Sequence, residues 1–431
     1  MRRCGKAASI VLALLGQAAF GADEFEQPPI NYSKSVPDNR VSQLQAAIDR
    51  KDVALEYDEK FGYLPDLLKR LDVSVESQML VFSKTSLQRD RISPRTPRAL
   101  YFNDDVYVGY CQAGDFLEIS AADPQLGAVF YTLDQSQDAA PQVKITRQTD
   151  QCLQCHATSQ TDDIPGFTVR SLFADEDGLP LLTEGTQRVN HATPIEERWG
   201  GWYVTGTHGS QSHLGNFVVR DRKAPKPWRN DNGQNVTHLS DRLSSDGYLT
   251  PHSDIVALMV FEHQTYIHNL LTKANFTARQ ALAYQAEINK ALGAPAGQRL
   301  DSVTRRIESA GDKLVQGLLF VDEAPIRGPF AGAAGFQQRF SQLGRRDQQG
   351  RSLRDFDLNS RLFKYPCSYL IDSRAFDELP AEMKQFAAKR LREALDGKAG
   401  KPYDRMSEAD RKAISEILAE TKPDLWKAGG R

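Results

Sequence analysis

Five cysteines, five methionines and eight histidines in 431 residues leave few side chains able to hold a metal or act as a thiol. The position of each therefore matters. The chain also lacks an excess of one charge: 54 basic side chains stand against 56 acidic ones. That balance removes the electrostatic footprint of a nucleic-acid or anionic-lipid binder. Long apolar runs are missing beyond the first two dozen residues. The longest uniformly apolar stretch, 255–261, falls well short of the roughly 20 residues that span a bilayer, so no stable membrane insertion is expected of the mature chain. With 40% hydrophobic and 26% charged residues, the composition is neither that of a disordered chain nor that of a collagen. A chain of this length can bury a core without covalent staples, so small size does not explain its cysteines.

The first 22 residues read as an export signal. Arg2, Arg3 and Lys6 precede an apolar run, and small residues at Ala19, Gly21 and Ala22 precede Asp23 and Glu24. The run, roughly 14 residues, is shorter than a spanning helix. Cys4 lies ahead of it, too early for a lipid-modified cysteine at the cleavage point. Export puts the remaining cysteines (Cys111, Cys152, Cys155 and Cys367) in an oxidising compartment, where a reduced thiol needs a reason.

Two of them have one. Gln151-Cys152-Leu153-Gln154-Cys155-His156 is a C-x-x-C-H sequence, the signature of covalent c-type haem attachment. Thiols three positions apart share one helical turn, where each can form a thioether to a haem vinyl group while the adjacent imidazole meets the iron. Cys152 and Cys155 are the expected anchors and His156 the expected proximal ligand. Three other readings compete. A zinc site would need a second ligand pair, for which only His208 and His213 offer themselves in a loop. A dithiol redox site would be expected in a thioredoxin-like βαβ unit. A disulfide between Cys152 and Cys155 would close a small, strained ring and leave His156 unexplained. The motif occurs once, so one haem and its iron are expected.

Sixth-ligand candidates are few. The first methionine after the motif, Met259, lies in an apolar helical run where core packing is the simpler role. His208 and His213 flank a short polar loop and are the favoured distal ligands; His191 follows, and an open position stays possible. His263 and His268, five residues apart on one helix, diverge by about 140° and cannot share a metal face. A disulfide between Cys111 and Cys367 is left open.

Periodicity divides the chain into a helical N-terminal region (23–97), a sheet-rich region carrying the motif (98–250) and a mainly helical C-terminal region (251–431). Helices are expected over about 253–291 and 301–319, with two more starting near Leu379 and Ser407. The fold class is α+β, with antiparallel sheet elements around the haem motif, and not the all-helical fold of small cytochromes. The run Arg198-Trp199-Gly200-Gly201-Trp202-Tyr203 reads either as a tightly turned core strand, the preferred role, or as a lining for a flat ligand.

GAVFYTLD at 127–134, RQTDQCLQCH at 147–156, ERWGGWYVTG at 197–206 and HLGN at 213–216 together resemble a family of exported bacterial monohaem c-type cytochromes. The likeness covers most of the chain after about residue 100. It implies haem binding but no particular reaction. Some members have methionine where Leu214 stands, which argues against position 214 as the family's ligand and keeps the histidines ahead. A weaker similarity, over 167–206, is to PAS-like or Cache-like sensory sheets. The expected function is that of a soluble periplasmic cytochrome transferring single electrons between a redox partner protein, or a small-molecule donor or acceptor, and its haem. The alternatives are a haem oxidase or peroxidase acting on a small molecule near His208 and His213, and a redox or gas sensor. No catalytic residue is singled out.

Overall fold

The stretch 98–134 alternates apolar and polar residues around short polar turns, and it supplies the middle four strands of the sheet at the centre of the protein: six antiparallel strands in simple meander order. The structure, a computed structural model, describes residues 24–136, 143–224 and 226–427; the export signal over 1–22 lies outside them. The strands are β1 (Met79–Val81), β2 (Arg98–Phe102), β3 (Val106–Tyr110), β4 (Phe116–Asp123), β5 (Gly127–Asp134) and β6 (Ile145–Gln148). In β4, Leu117, Ile119 and Ala121 are buried while Phe116, Glu118 and Ser120 are half-buried, a period of two that gives the sheet two unlike faces. Register fixes the pairing of Glu118 with Thr132 and of Ser120 with Phe130.

Helix α1 (Arg40–Asp49) packs on the fully buried face through Val41, Leu44 and Ile48. Its N-cap Asn39 donates to Asp123 and exchanges hydrogen bonds with the Tyr131 hydroxyl, which ties the cap to β4 and β5. The N-terminal region is less helical than its periodicity suggests. Among the described residues only α1 and the short α2 (Leu64–Arg70) form α-helices before β2, and the apolar run Met79-Leu80-Val81 pairs with β2. Apolar runs this short fit a buried strand as well as a helix.

The opposite face meets the longest helix, α4 (Ile255–Leu292), which follows the four-residue turn α3 (Leu153–His156). Asp254 caps it, accepting from the Val256 and Ala257 amides, and Gly293 ends it in the left-handed region. Its first half is buried around most of its circumference, as befits a helix at the centre of the molecule. Gln264 Nε2 donates to the Tyr107 hydroxyl at 2.8 Å, and Phe261 packs on Phe102 and Tyr107. Behind α4 lie α5 (Asp301–Leu318) and, after two short helices α6 (Phe336–Gln342) and α7 (Arg374–Asp377), α8 (Ala381–Leu395) and α9 (Glu408–Thr421). The class is α+β, with helices flanking the sheet on both sides.

Between α3 and α4 the chain makes mostly turns. The stretch with PAS-like or Cache-like similarity contributes only a two-stranded ribbon, β7 (Arg170–Leu172) with β8 (Thr186–Arg188), and then β9 (Gly206–Thr207), which pairs with β10 (Ala331–Gly332). No sensory-type sheet forms there among the described residues. The Gly200-Gly201 pair explains why: a Cβ at Gly200 would lie 2.6 Å from the Leu172 carbonyl, and one at Gly201 2.8 Å from Ser83 Cβ. The segment crosses beneath its neighbours, and Trp202 bridges to Val81 at the sheet edge. Among the described residues, no helix is long and apolar enough to cross a membrane.

Candidate functional site

The C-x-x-C-H residues follow β6, the sheet's edge strand, and wind into a single helical turn. Leu153, buried to 8% exposure, pins that turn to the core. The His156 amide donates to the Cys152 carbonyl at 3.0 Å. Cys152 is half-buried and Cys155 exposed, and both are free thiols. Burial raises the Cys152 thiol to about 11, with Glu118 adding to the effect, so it stays protonated at neutral pH.

His156 is held from both ends. Its carbonyl accepts from the Gly166 amide at 2.8 Å, and its ring Nδ1 sits 2.9 Å from the Gly166 carbonyl. A carbonyl oxygen only accepts, so Nδ1 carries the ring proton and Nε2 keeps its lone pair. Burial pushes the imidazole below its ordinary range, which keeps it neutral. The ring lies on Phe130 at 4.7 Å between centroids. Gly166 is fixed in turn by α4: Asn269 Oδ1 accepts from the Phe167 amide and its Nδ2 donates to the Phe167 carbonyl. A Cβ at Gly166 would lie 2.6 Å from Asn269 Oδ1. The helix thus sets the loop, and the loop sets the proton on His156. Sequence spacing points to His156 but not to Gly166 or Asn269, which carry no motif.

These residues fit a covalently attached haem. Two free thiols share one turn, and beside them a neutral imidazole offers an unprotonated nitrogen, the donor set that c-type attachment requires. Among the described residues no three His, Cys, Asp or Glu side chains form a group that could hold a metal ion. A haem iron, already bound by its porphyrin, asks the protein for only one or two ligands.

The favoured distal candidates are engaged elsewhere. The Gly215 amide donates to His213 Nδ1 at 3.0 Å, and the Asn235 amide donates to His208 Nε2 at 2.9 Å. The ring proton is therefore displaced to His213 Nε2 and to His208 Nδ1, nitrogens that cannot ligate while they hold it. The two rings pack together at 4.7 Å, with Trp199 on His213. Their loop follows Gly206, which abuts Ile255 at the start of α4, whereas the His156 loop abuts Asn269. At 1.5 Å per residue those anchors lie about 20 Å apart along the helix. As the chain is folded here, neither histidine is brought to the Cys152–His156 turn.

His191 is also part of the interior. Its Nδ1 lies 2.8 Å from His263 Nδ1, whose Nε2 lies 2.8 Å from Ser368 Oγ. Burial holds His191 down to about 3. His268 faces another way, against Tyr107, Phe167 and the Asp104 carbonyl, so it and His263 diverge as their spacing requires. Trp199, Trp202 and Tyr203 are core residues. Cys111 and Cys367 are buried free thiols and form no disulfide.

Compared with known proteins, the chain matches no protein-family model, no curated protein and no solved structure.

Proposed function

We propose that this protein is an exported c-type cytochrome with a single haem, bound through Cys152 and Cys155, ligated by His156 and used to transfer single electrons. One observation carries the reading: two free thiols on one turn beside an imidazole whose Nδ1 proton is taken by the Gly166 carbonyl, with Nε2 left free. The spacing of the motif and the resemblance to exported monohaem cytochromes support it, as do the basic, apolar and small residues in succession over 1–22. When bound, the haem supplies a one-electron redox centre. The chain's part is to anchor that group, to orient His156 through Gly166 and Asn269, and to shield one side of the ring with Phe130.

A second reading keeps the haem but has it bind a small molecule, as an oxidase, peroxidase or gas sensor. It is favoured by the engagement of His208 and His213 with backbone amides, which withdraws both from the iron. The first test is intact mass and visible spectrum of the protein exported from a host that matures c-type cytochromes. A mass increase of one haem and a Soret band are expected, and a colourless protein with the mass of bare polypeptide defeats the proposal. Low-spin iron that ignores carbon monoxide selects electron transfer; high-spin iron that binds it selects the second reading.

A further inference from the structure

The central sheet is covered unevenly. On the face turned to α1, Leu117, Ile119, Ala121, Val129, Tyr131 and Leu133 are all buried. On the other face α4 covers Phe102 and Tyr107, but Phe116, Glu118, Ser120, Thr132 and Gln148 are left half-buried. A sheet face in a chain of this size is ordinarily packed against another element. The Cys152–His156 turn stands at the border of this uncovered area: its histidine rests on Phe130, which pairs with Ser120 and Gln148, and Arg98 and Glu118 act electrostatically on both Cys152 and His156.

Arg98 is held unusually within this area. Its guanidinium lies over Gly109, where a Cβ would come within 3.0 Å of Nε and 3.4 Å of Cζ. One end is paired with Glu118 at 2.9 Å. The second oxygen of Glu118 accepts from Ser86 Oγ at 2.7 Å, so that carboxylate is fully committed. Arg98 Nε is buried and has no partner among the described residues. A buried donor left unpaired is costly, and an incoming acceptor would relieve it. A porphyrin has an apolar ring and two carboxylates at one edge. Half-buried Phe116, on the same sheet face as buried Phe130, offers the ring an apolar surface, and Arg98, whose side chain is 20% exposed, offers a carboxylate its cation.

We propose that this uncovered half-face of β4 to β6 is the seat of the porphyrin, and that Arg98 receives one of its carboxylates. The inference rests on the reading that Cys152 and Cys155 carry haem. Hydroxyl-radical footprinting tests the seat, comparing haem-loaded protein with a Cys152→Ser/Cys155→Ser double variant. Oxidation of Phe116 is expected to fall several-fold on loading; equal oxidation of Phe116 in the two proteins overturns the seat and leaves attachment intact. Arg98→Gln in loaded protein should keep the haem attached but lower its midpoint potential, because a cation near the ring is lost, whereas Arg98→Lys should retain most of the wild-type value. These variants work whether or not the haem-free protein folds, and an unchanged potential in Arg98→Gln overturns the role of Arg98. Wild-type protein exported without haem overturns the attachment reading, and the seat with it.

Discussion

A histidine ligates iron only through a nitrogen without a proton, so the partner of its other nitrogen settles the matter. Three of the four histidines nominated from sequence differ in this respect. A carbonyl holds the proton of His156 on Nδ1, whereas backbone amides donate into His213 Nδ1 and His208 Nε2 and push each proton to the other ring nitrogen. His208→Ala and His213→Ala are therefore expected to leave the haem spectrum unchanged, while each lowers stability by about 1–3 kcal/mol through an orphaned amide. Spectra and urea unfolding of the purified variants check both parts, and loss of a low-spin signature in either would put that imidazole on the metal. For His156→Ala the expected order is reversed: covalent haem stays, seen as the mass increase, but the spectrum changes to that of an iron lacking its proximal ligand. The proposed attachment residues were legible because thioether chemistry demands a fixed local spacing. What orients them was not, since Gly166 and Asn269 act through tertiary contacts that leave no pattern in the sequence.

Among the elements, helices with strong periodicity and a capping residue were the readable ones. Asp254, Ser407 and Gly293 punctuate α4 and α9 where the chemistry of caps requires. The meander from β2 to β5 was readable too, from alternation and its Asn-Asp and Ala-Gly turns. Stretches whose shape depends on what they cross were not. The segment 197–216 looks strand-rich, yet apart from the two residues of β9 it runs as bends and turns over Leu172, Ser83 and Ile255. Gly206 lies at φ +144, and a Cβ there would stand 2.4 Å from Ile255 Cγ2 and 2.5 Å from the Ala331 carbonyl. Both the conformation and the space belong to glycine. Gly206→Ala should destabilise the protein by about 2–3 kcal/mol, since β9 must move away from α4 and β10. A urea midpoint equal to wild type would mean that this crossing relaxes freely.

At the scale of the whole molecule, two sets of buried groups pull the stability in opposite directions as pH changes. Burial holds His191 and His213 down to about 3 and His268 to about 4, with His263 also well below its ordinary value. Once unfolded they take up protons near pH 6.5, so each loses stability for the folded state as pH falls from there towards its folded value. Burial lifts Glu262 and Glu323 to about 7 and Asp105 to about 6. These groups keep their protons in the folded state while the unfolded chain releases them above about pH 4 to 4.5, so they stabilise the fold increasingly as pH falls from 7 to that point. Between pH 6.5 and 4.5 the two sets oppose each other and the stability curve should be shallow. Below 4.5 the acids are protonated in both states and stop compensating, while the histidines still cost up to about 1.4 kcal/mol per pH unit each. Urea unfolding of the Cys152→Ser/Cys155→Ser protein from pH 7 to 3.5 measures this without contributions from a haem ligand. Glu262→Gln separates the two sets. The variant should be less stable near neutral pH, where the buried Arg198 guanidinium, 2.9 Å from Glu262, loses its ionised partner. With one compensating acid removed, its stability should also fall more steeply between pH 6.5 and 4.5 than that of the parent. Parallel curves for the two proteins would show that Glu262 does not hold its proton in the fold, and that the opposition between buried acids and buried histidines is not what shapes the acid limb.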